Sequence, residues 1–332
     1  MRRSITARFA VLGIAAALAL TACSTAGGGE ADNEACPGVT IDKVGYSPLT
    51  AKFDYFQFTI QGMEEEAATC GVEVVVDDPD NDAAKQVTGI ENLLTAGVGA
   101  VGIVSIDPNA ITAAVNEAKA AGAFVISQVS TFEGADVYVG LPESEFGRLQ
   151  GSGAGAALLE VKPDEDTYQV AILNADSLGS GLLDRKSGLI EGLEENISNY
   201  EIVSDVEAYT EEDALSAVET ILQANPDLDL ILTVNDPGSL GARAGVLAGG
   251  YTLNTDVMVG GLGIDKRVLQ GVLDGDFPQS VSPEPVATGR AIVRAALDLS
   301  AGKTVEQDLL VPPVLITKDN AQEYLDELYP NG

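Results

Sequence analysis

The chain has 332 residues, of which 45% are hydrophobic and 21% are charged, a composition typical of a folded globular protein. Its formal net charge of −33 argues against nucleic acid and anionic lipid surfaces as partners, because both would repel it. The sequence contains no histidine, which removes the commonest general base, the Ser-His and Cys-His nucleophile pairs, and most zinc and iron sites.

The first 23 residues have the pattern of a secretory signal. A basic start that includes Arg2 and Arg3 precedes an apolar run at residues 9–20, which is too short to span a bilayer. The segment Leu20-Thr21-Ala22-Cys23 resembles a bacterial lipobox, which implies cleavage after residue 22 and lipidation of the Cys23 sulfur. An ordinary secretory signal with a chance cysteine is the alternative. Either signal places the mature chain outside the cytoplasm, and the lipobox anchors it to the bacterial cell membrane.

Residues 23–37 are small, polar and rich in glycine, which predicts a flexible tether between the lipid and the fold. The two remaining cysteines are Cys36 and Cys70. Outside the cytoplasm two such cysteines can form a disulfide, and two buried free thiols are the alternative.

Apolar runs of strand length alternate with helical patterns along the rest of the chain. Strands are predicted at residues 41–46, 72–76, 98–106, 124–129, 137–139, 169–173, 202–207, 228–234 and 257–260. Helices are predicted at residues 59–68, 82–96, 109–121, 182–195, 212–224, 238–248 and 266–273, with Asp82 and Asn109 as caps. Continuous Val and Ile runs indicate strands buried on both faces. The fold class expected is therefore α/β, with two doubly wound parallel-sheet lobes.

Glycines recur in residues 151–155, Gly-Ser-Gly-Ala-Gly, inside a stretch with a helical pattern. Their spacing does not fit a dinucleotide-binding loop. We expect these small residues to allow close packing of helices.

Several segments in order carry a family resemblance. They are Tyr55-Phe56 followed by residues 61–67, then residues 81–86, 101–105, 235–242 (Asn-Asp-Pro-Gly-Ser-Leu-Gly-Ala) and 258–262. In order and spacing they resemble the type I periplasmic binding proteins, the ribose- and galactose-like solute receptors of ABC transporters. The resemblance runs from about residue 41 to the C-terminus.

This resemblance implies two lobes joined by a three-stranded hinge, with crossings near residues 141–143, 282–284 and 311–314, where prolines cluster. The implied N-terminal lobe is residues 38–142 plus 284–312, and the C-terminal lobe is residues 143–283 plus 313–332. The ligand is then held between the lobes at the carboxyl ends of the strands. The family consists of binding proteins, so we expect no enzymatic activity, no cofactor and no metal.

The resemblance also implies the residues that face the ligand. Tyr55 and Phe56 belong to the first lobe's side of the cleft, and Tyr209 and Asn235 to the second lobe's side. Polar residues near other strand ends are further candidates: Asp107, Gln128, Glu143, Asn174, Asp236 and Glu284. Core aromatics, turn caps and solvated loop residues are the alternative interpretation of these positions.

Departures from the family pattern bear on the ligand. Val129-Ser130 replaces an Asp-Arg pair, Leu183 replaces an arginine two residues before Arg185, Leu262 replaces an aspartate, and Pro283 replaces a glutamine. The replaced groups would bind sugar hydroxyls through charge-assisted hydrogen bonds, so their loss argues against ribose, galactose and glucose. A cleft with aromatic rings and carboxylates but no arginine favours a cationic or amino-bearing solute as an alternative.

The function expected from the resemblance is that of a lipid-anchored substrate-binding protein of an ABC importer. It would bind a small polar solute, a sugar or sugar-like molecule, as a monomer and deliver it to the membrane permease. A receptor that feeds a signalling complex is the alternative role.

Overall fold

The computed structural model describes residues 36–330. The predicted signal at residues 1–22, the lipidation site Cys23 and all but the last two residues of the predicted tether lie outside the described residues. Within residues 36–330, none of the helices combines the length and apolarity needed to cross a membrane.

The first lobe is built on six parallel strands in the spatial order β11-β5-β4-β3-β1-β2. These strands are β1 (Lys43–Ser47), β2 (Glu73–Val76), β3 (Ala100–Ile103), β4 (Phe124–Gln128), β5 (Val137–Gly140) and β11 (Asp308–Leu310). The central strand β3 is buried along its whole length, as its continuous apolar sequence predicts.

The second lobe is built on four parallel strands in the order β7-β6-β8-β9. These strands are β6 (Tyr168–Asn174), β7 (Tyr200–Glu207), β8 (Leu230–Thr233) and β9 (Met258–Val259). A separate antiparallel pair joins β10 (Ser280–Ser282) to β12 (Val314–Ile316).

Helices connect the strands in both lobes. They are α1 (Asp54–Thr69), α2 (Ala83–Thr95), α3 (Thr112–Ala120), α4 (Glu143–Val161), α5 (Ser180–Glu194), α6 (Glu211–Ala224), α7 (Asp236–Ala248), α8 (Lys266–Asp274), α9 (Pro285–Ser300) and α10 (Ala321–Leu328). The predicted α/β class with two parallel-sheet lobes is confirmed.

The bounds of several predicted elements differ from the structure; the strand predicted at residues 98–106, for example, spans only Ala100–Ile103. Helix α1 begins at Asp54 rather than at residue 59, because the aromatic stretch before residue 59 is helical. Asn109 is not a helix cap: α3 begins at Thr112, and Asp107 instead accepts hydrogen bonds from the amides of Asn109 and Ala110 in the preceding turn. Asp82 does cap α2, through the amides of residues 84 and 85.

The chain passes between the two sheets three times, after β5, after β10 and after β11. Helix α9 follows the second passage and packs on α1, and α10 follows the third and packs on α8. We propose that the lobes divide as the sequence predicts, at residues 142/143, 283/284 and 312/313.

Helices α4 and α5 pack with their backbones in contact. Gly147 lies against the carbonyl of Arg185, and Gly188 lies against the carbonyl of Ser144. Gly151 makes a similar approach to the carbonyl of residue 189. A Cβ atom at any of these glycines would overlap the opposite helix, so the predicted close packing at residues 151–155 is confirmed for Gly151.

Helices α1 and α9 use the same arrangement in the first lobe. Gly62 lies against the carbonyl of Val286, and Gly289 lies against the carbonyl of Thr59. Each lobe therefore has one helix pair locked by reciprocal glycine contacts.

Two features tie the ends of the described chain to α1. Cys36 forms a disulfide with Cys70 at the end of α1, with 5.5 Å between their Cα atoms. At the other end, the Tyr329 hydroxyl donates to Asp54 Oδ2 at 2.7 Å, and the Tyr329 ring packs edge to face on Phe58.

Candidate functional site

The carboxyl ends of parallel strands meet at one edge of each sheet, where polar side chains can face an open crevice. Gln128 is the last residue of β4, Asn174 is the last residue of β6, and Asn235 follows β8 as the cap of α7. Three of the predicted site residues therefore lie at these edges.

On the first lobe, a hydrogen-bonded chain positions Tyr55. The Tyr46 hydroxyl donates to Gln128 Oε1 at 2.6 Å, and Gln128 Nε2 donates to the Tyr55 hydroxyl oxygen at 3.3 Å. Tyr46 and Gln128 are fully buried. Burial raises the pKa of both Tyr46 and Tyr55, so both phenols keep their protons at neutral pH.

The neighbouring aromatic residues point in different directions around α1. Phe56 packs in the core of the first lobe with 4% of its surface exposed, whereas Tyr55 is half-buried. The two rings are in edge-to-face contact, with centroids 5.2 Å apart. Of the predicted aromatic pair, Tyr55 thus offers the larger accessible surface.

On the second lobe, Glu143 and Arg185 form a close ion pair. Arg185 Nε and Nη2 contact Glu143 Oε2 at 2.7 and 2.6 Å, and Arg185 Nη1 donates to the Val234 carbonyl at 2.7 Å. Both side chains are 13% exposed. The expected absence of arginine from this region is therefore wrong, because Arg185 occupies it.

The reason lies in the helical position of Arg185. Leu183, at the family's arginine position, is 44% exposed, and two residues along a helix turn the side chain by about 200°. Arg185 therefore faces inward. Its guanidinium lies over the Phe146 ring, 4.6 Å from the centroid.

Phe146 belongs to a small apolar cluster with Leu141, Leu262 and Val281. Leu262, which stands where the family has an aspartate, is buried, and its amide donates to the Ser239 hydroxyl. This position is packed with apolar atoms and supplies no carboxylate.

The pKa of Tyr138 responds to charged groups of both lobes. Burial first, and then the charge of Glu143 and the neighbouring Tyr55, raise the pKa of Tyr138 to about 12. The Glu143 carboxylate also raises the pKa of Tyr55, after burial. The charge of Glu143 on the second lobe thus acts on two phenols of the first.

A second group of predicted residues surrounds the start of α7. The Asn235 side chain accepts from the Gly238 amide at 2.7 Å and donates to the Tyr209 carbonyl at 2.9 Å. The Tyr209 ring is 45% exposed. Asp236 accepts from the Asp265 amide at 2.7 Å, and burial raises its pKa to about 6.

The remaining predicted residues have protein partners elsewhere. Asn174 donates to Asp205 Oδ1 at 2.6 Å. Glu284 accepts from the Tyr324 hydroxyl at 2.6 Å. Asp107 is exposed and holds the turn described above. Contact of each predicted residue with a ligand stays a prediction.

Sequence reasoning missed Tyr138, Phe146 and Arg185. One signal could have found Arg185: basic residues number 18 against 51 acidic ones, so a cation on the inward face of a helix stands out. Within residues 36–330, no cluster of three acidic or cysteine side chains is arranged to hold a metal ion.

Two surface hollows lie away from these residues. One, of about 480 Å³, opens at the amino ends of β6 and β8 beside Lys162 and Asp229. The other, of about 690 Å³, runs between α9 and the edge strand β11.

Comparison with known proteins gives one family match. Residues 44–304 match the model of the periplasmic binding protein domain. The ribose import binding protein of Bacillus subtilis is 28% identical over 304 residues, covering 90% of this chain and 95% of that protein.

Solved structures share the fold. A solute-binding protein of Actinobacillus succinogenes with bound D-allose is 23% identical, with a TM-score of 0.75, covering 85% of this chain and 99% of that one. The Caulobacter myo-inositol binding protein bound to myo-inositol is 25% identical, with a TM-score of 0.71, covering 85% and 95%.

Proposed function

This chain belongs to the periplasmic binding protein domain family, and from that premise we propose that it captures a neutral sugar or polyol between its lobes for an ABC importer. Members of this kind are solute-binding proteins, and the chain is accordingly not an enzyme.

The observation that supports the proposal is the presence of unlike polar groups on the two lobes. The first lobe offers the phenols of Tyr55 and Tyr138, whose pKa the Glu143 charge raises after burial, and the second lobe offers the Glu143–Arg185 pair. Phenol faces can cover a ring while charged groups replace the water lost from hydroxyls. Relatives that take ribose and myo-inositol support the same ligand class.

The same arrangement supports capture by hinge closure. A solute that touches Tyr55 and Arg185 at once interacts fully only when the lobes are shut, so binding favours the closed form. Micromolar affinity corresponds to about 8 kcal/mol, which ring contacts and several charge-assisted hydrogen bonds can supply.

The experiment is a thermal-shift screen of the purified chain lacking residues 1–23. The neutral set is D-ribose, D-xylose, D-glucose, xylitol and myo-inositol, and the comparison set is glycine, lysine, putrescine and choline. We expect at least one neutral probe to raise Tm in a concentration-dependent manner, as linkage requires. Shifts confined to the amino-bearing set would contradict the proposal and favour the cationic-solute alternative.

We propose further that Cys23 carries a lipid, that the mature protein stays at the outer face of the cell membrane, and that it acts as a monomer which delivers solute to a permease. Detergent phase partitioning after expression of the full chain in a bacterium tests the anchor. The wild type should enter the detergent phase and Cys23→Ser should not. Equal partitioning of both forms would contradict the lipid anchor.

A further inference from the structure

The Tyr329 hydroxyl lies between hydrogen-bond acceptors of both lobes. Asp54 Oδ2, at the start of α1 in the first lobe, is 2.7 Å from it, and the Ile264 carbonyl oxygen, between β9 and α8 in the second lobe, is 3.1 Å from it. A phenol has one hydrogen to donate. The carboxylate is the closer acceptor and the charged one, so the bond to Asp54 is the stronger of the two. One phenol therefore joins the two lobes at this point.

The backbone of Tyr329 belongs to the second lobe. Tyr329 directly follows α10, which packs on α8. Leu325 and Leu328 of α10 are buried in the same apolar cluster as Ile264 and Leu269. The phenol therefore moves with the second lobe, and its bond to Asp54 is the one that crosses to the first.

The two acceptors lie at the edges that border the crevice between the sheets. Asp54 is in the first turn of α1, which follows β1, and Ile264 follows β9, so both stand beyond the carboxyl ends of parallel strands. Phe58, one turn later on α1, is 8% exposed and packs edge to face on the Tyr329 ring with 5.3 Å between centroids. Hinge opening moves these edges apart, so the hydroxyl cannot then stay within hydrogen-bond distance of both acceptors.

The hydrogen of Tyr329 is permanent, whereas its acceptor can change. Burial first, and then the hydrogen bond to Asp54, raise the pKa of Tyr329 well above its usual value, so the phenol remains a donor. When the lobes part, the hydrogen can turn to the Ile264 carbonyl, and no donor is left unpaired. Opening then costs only the difference between a charged and a neutral acceptor, roughly three- to tenfold in the equilibrium between open and closed forms.

We infer that Tyr329 is an interlobe latch: its hydroxyl bonds Asp54 when the lobes close and the Ile264 carbonyl when they open, which sets how tightly the protein holds a solute that it does not touch. The inference goes beyond the proposed function, because the latch acts on closure whatever the solute is. A latch changes every affinity by the same factor, whereas a residue that contacts the solute changes the preference among solutes.

The test is isothermal titration calorimetry of the chain lacking residues 1–23, with every probe of the screen that binds the wild type. The variants are Tyr329→Phe, which keeps the ring contact with Phe58, Asp54→Ala, and the two combined. Tyr200→Phe is the matched control, because the Tyr200 hydroxyl also bonds a carboxylate, that of Glu194 at 2.8 Å, but within the second lobe. Circular dichroism of each variant verifies folding.

We expect Tyr329→Phe to weaken binding of every such probe by the same factor, roughly three- to tenfold. Asp54→Ala should weaken binding similarly. The double variant should bind no more weakly than the weaker single variant, because both changes remove one and the same bond. Tyr200→Phe should change each affinity less than about twofold, since its bond does not cross between the lobes.

Three results would overturn the latch. Folded Tyr329→Phe could keep the wild-type affinity, it could lose affinity for some binding probes and not for others, or its loss could add to that of Asp54→Ala in the double variant.

Failure of the proposed function is distinguishable from failure of the latch. Wild-type protein that binds only amino-bearing probes contradicts the proposed solute class, and the same variants titrated with those probes still decide the latch. If no probe binds, small-angle X-ray scattering of the ligand-free chain decides it. A larger radius of gyration in Tyr329→Phe than in the wild type and Tyr200→Phe supports the latch, and equal radii overturn it.

Discussion

Two passages between the lobes have nearly the same local sequence but different roles. The first is Leu141-Pro142-Glu143 before α4, and the second is Ser282-Pro283-Glu284 before α9. Each proline ends a strand connection because it lacks a backbone donor and fixes φ, and each glutamate stands at a helix start, where a negative charge is favourable.

The partners of the two glutamates differ. Glu143 meets the guanidinium of Arg185 and keeps a free carboxylate oxygen, whereas Glu284 accepts a hydrogen bond from the neutral Tyr324 phenol. Glu284 also adopts a left-handed conformation with φ 50°, which a non-glycine residue tolerates only when its surroundings hold it. The same Pro-Glu sequence thus gives a glutamate paired with a guanidinium at one passage and a glutamate bonded to a neutral phenol at the other.

Replacing a glycine at the contact between α4 and α5, the two helices that follow the first passage, should have the largest effect on stability. Gly188→Ala places a Cβ atom against the Ser144 carbonyl and must separate α4 from α5, so we expect a loss of about 2–4 kcal/mol in the free energy of unfolding. Urea denaturation measures it. Gly181→Ala on the same helix is the control, because its Cβ would meet Glu143 only at ordinary contact distance. Equal losses from both changes would contradict the packing argument.

Asp236 extends the comparison to a half-buried carboxylate that accepts a hydrogen bond from the Asp265 amide rather than from a cation. Its pKa in the folded protein, about 6, lies above the roughly 3.9 of an unfolded aspartate, so the folded state holds the proton more tightly. Stability is therefore lost as the pH rises from about 4 to 6. Asp236→Asn removes this loss and should gain on the order of 1–2 kcal/mol relative to wild type between pH 4 and pH 7. Denaturation at several pH values measures the difference, and a difference independent of pH would contradict it.

Tyr324→Phe removes the hydrogen bond that Glu284 accepts at the second passage, and it should have the smallest effect of the three changes. Loss of the hydrogen bond to Glu284 should cost about 1 kcal/mol of stability and leave the preference among neutral, acidic and amino solutes unchanged. Tyr200→Phe is the control, since its bond to Glu194 is exposed. A changed solute preference in Tyr324→Phe would mean that the two passages do not differ in role.

Local patterns were sufficient for most of the fold. Strands such as β3 and β8 are continuous apolar runs, so their burial and parallel pairing followed from composition. Helices α9 and α10 were not predicted, because each lies among passages whose prolines and short strands hide the periodicity. The passages themselves came from family resemblance and not from periodicity.

The candidate site was harder to predict for a physical reason. The Glu143–Arg185 pair spans 42 positions in sequence and depends on how closely α4 and α5 approach. Likewise, Phe56 and Tyr55 are adjacent, and only the rotation of α1 decides which one enters the core. Tertiary packing, which one sequence does not reveal, therefore determines which of these side chains are accessible.

The disulfide has a mechanical consequence. A pulling force applied upstream of Cys36 would pass through the sulfur bridge to Cys70 and bypass residues 37–69, which include β1 and α1. Those elements would carry none of the load until the bridge is reduced. A force applied to the N-terminal end would thus leave β1 and α1, with Tyr55, unloaded.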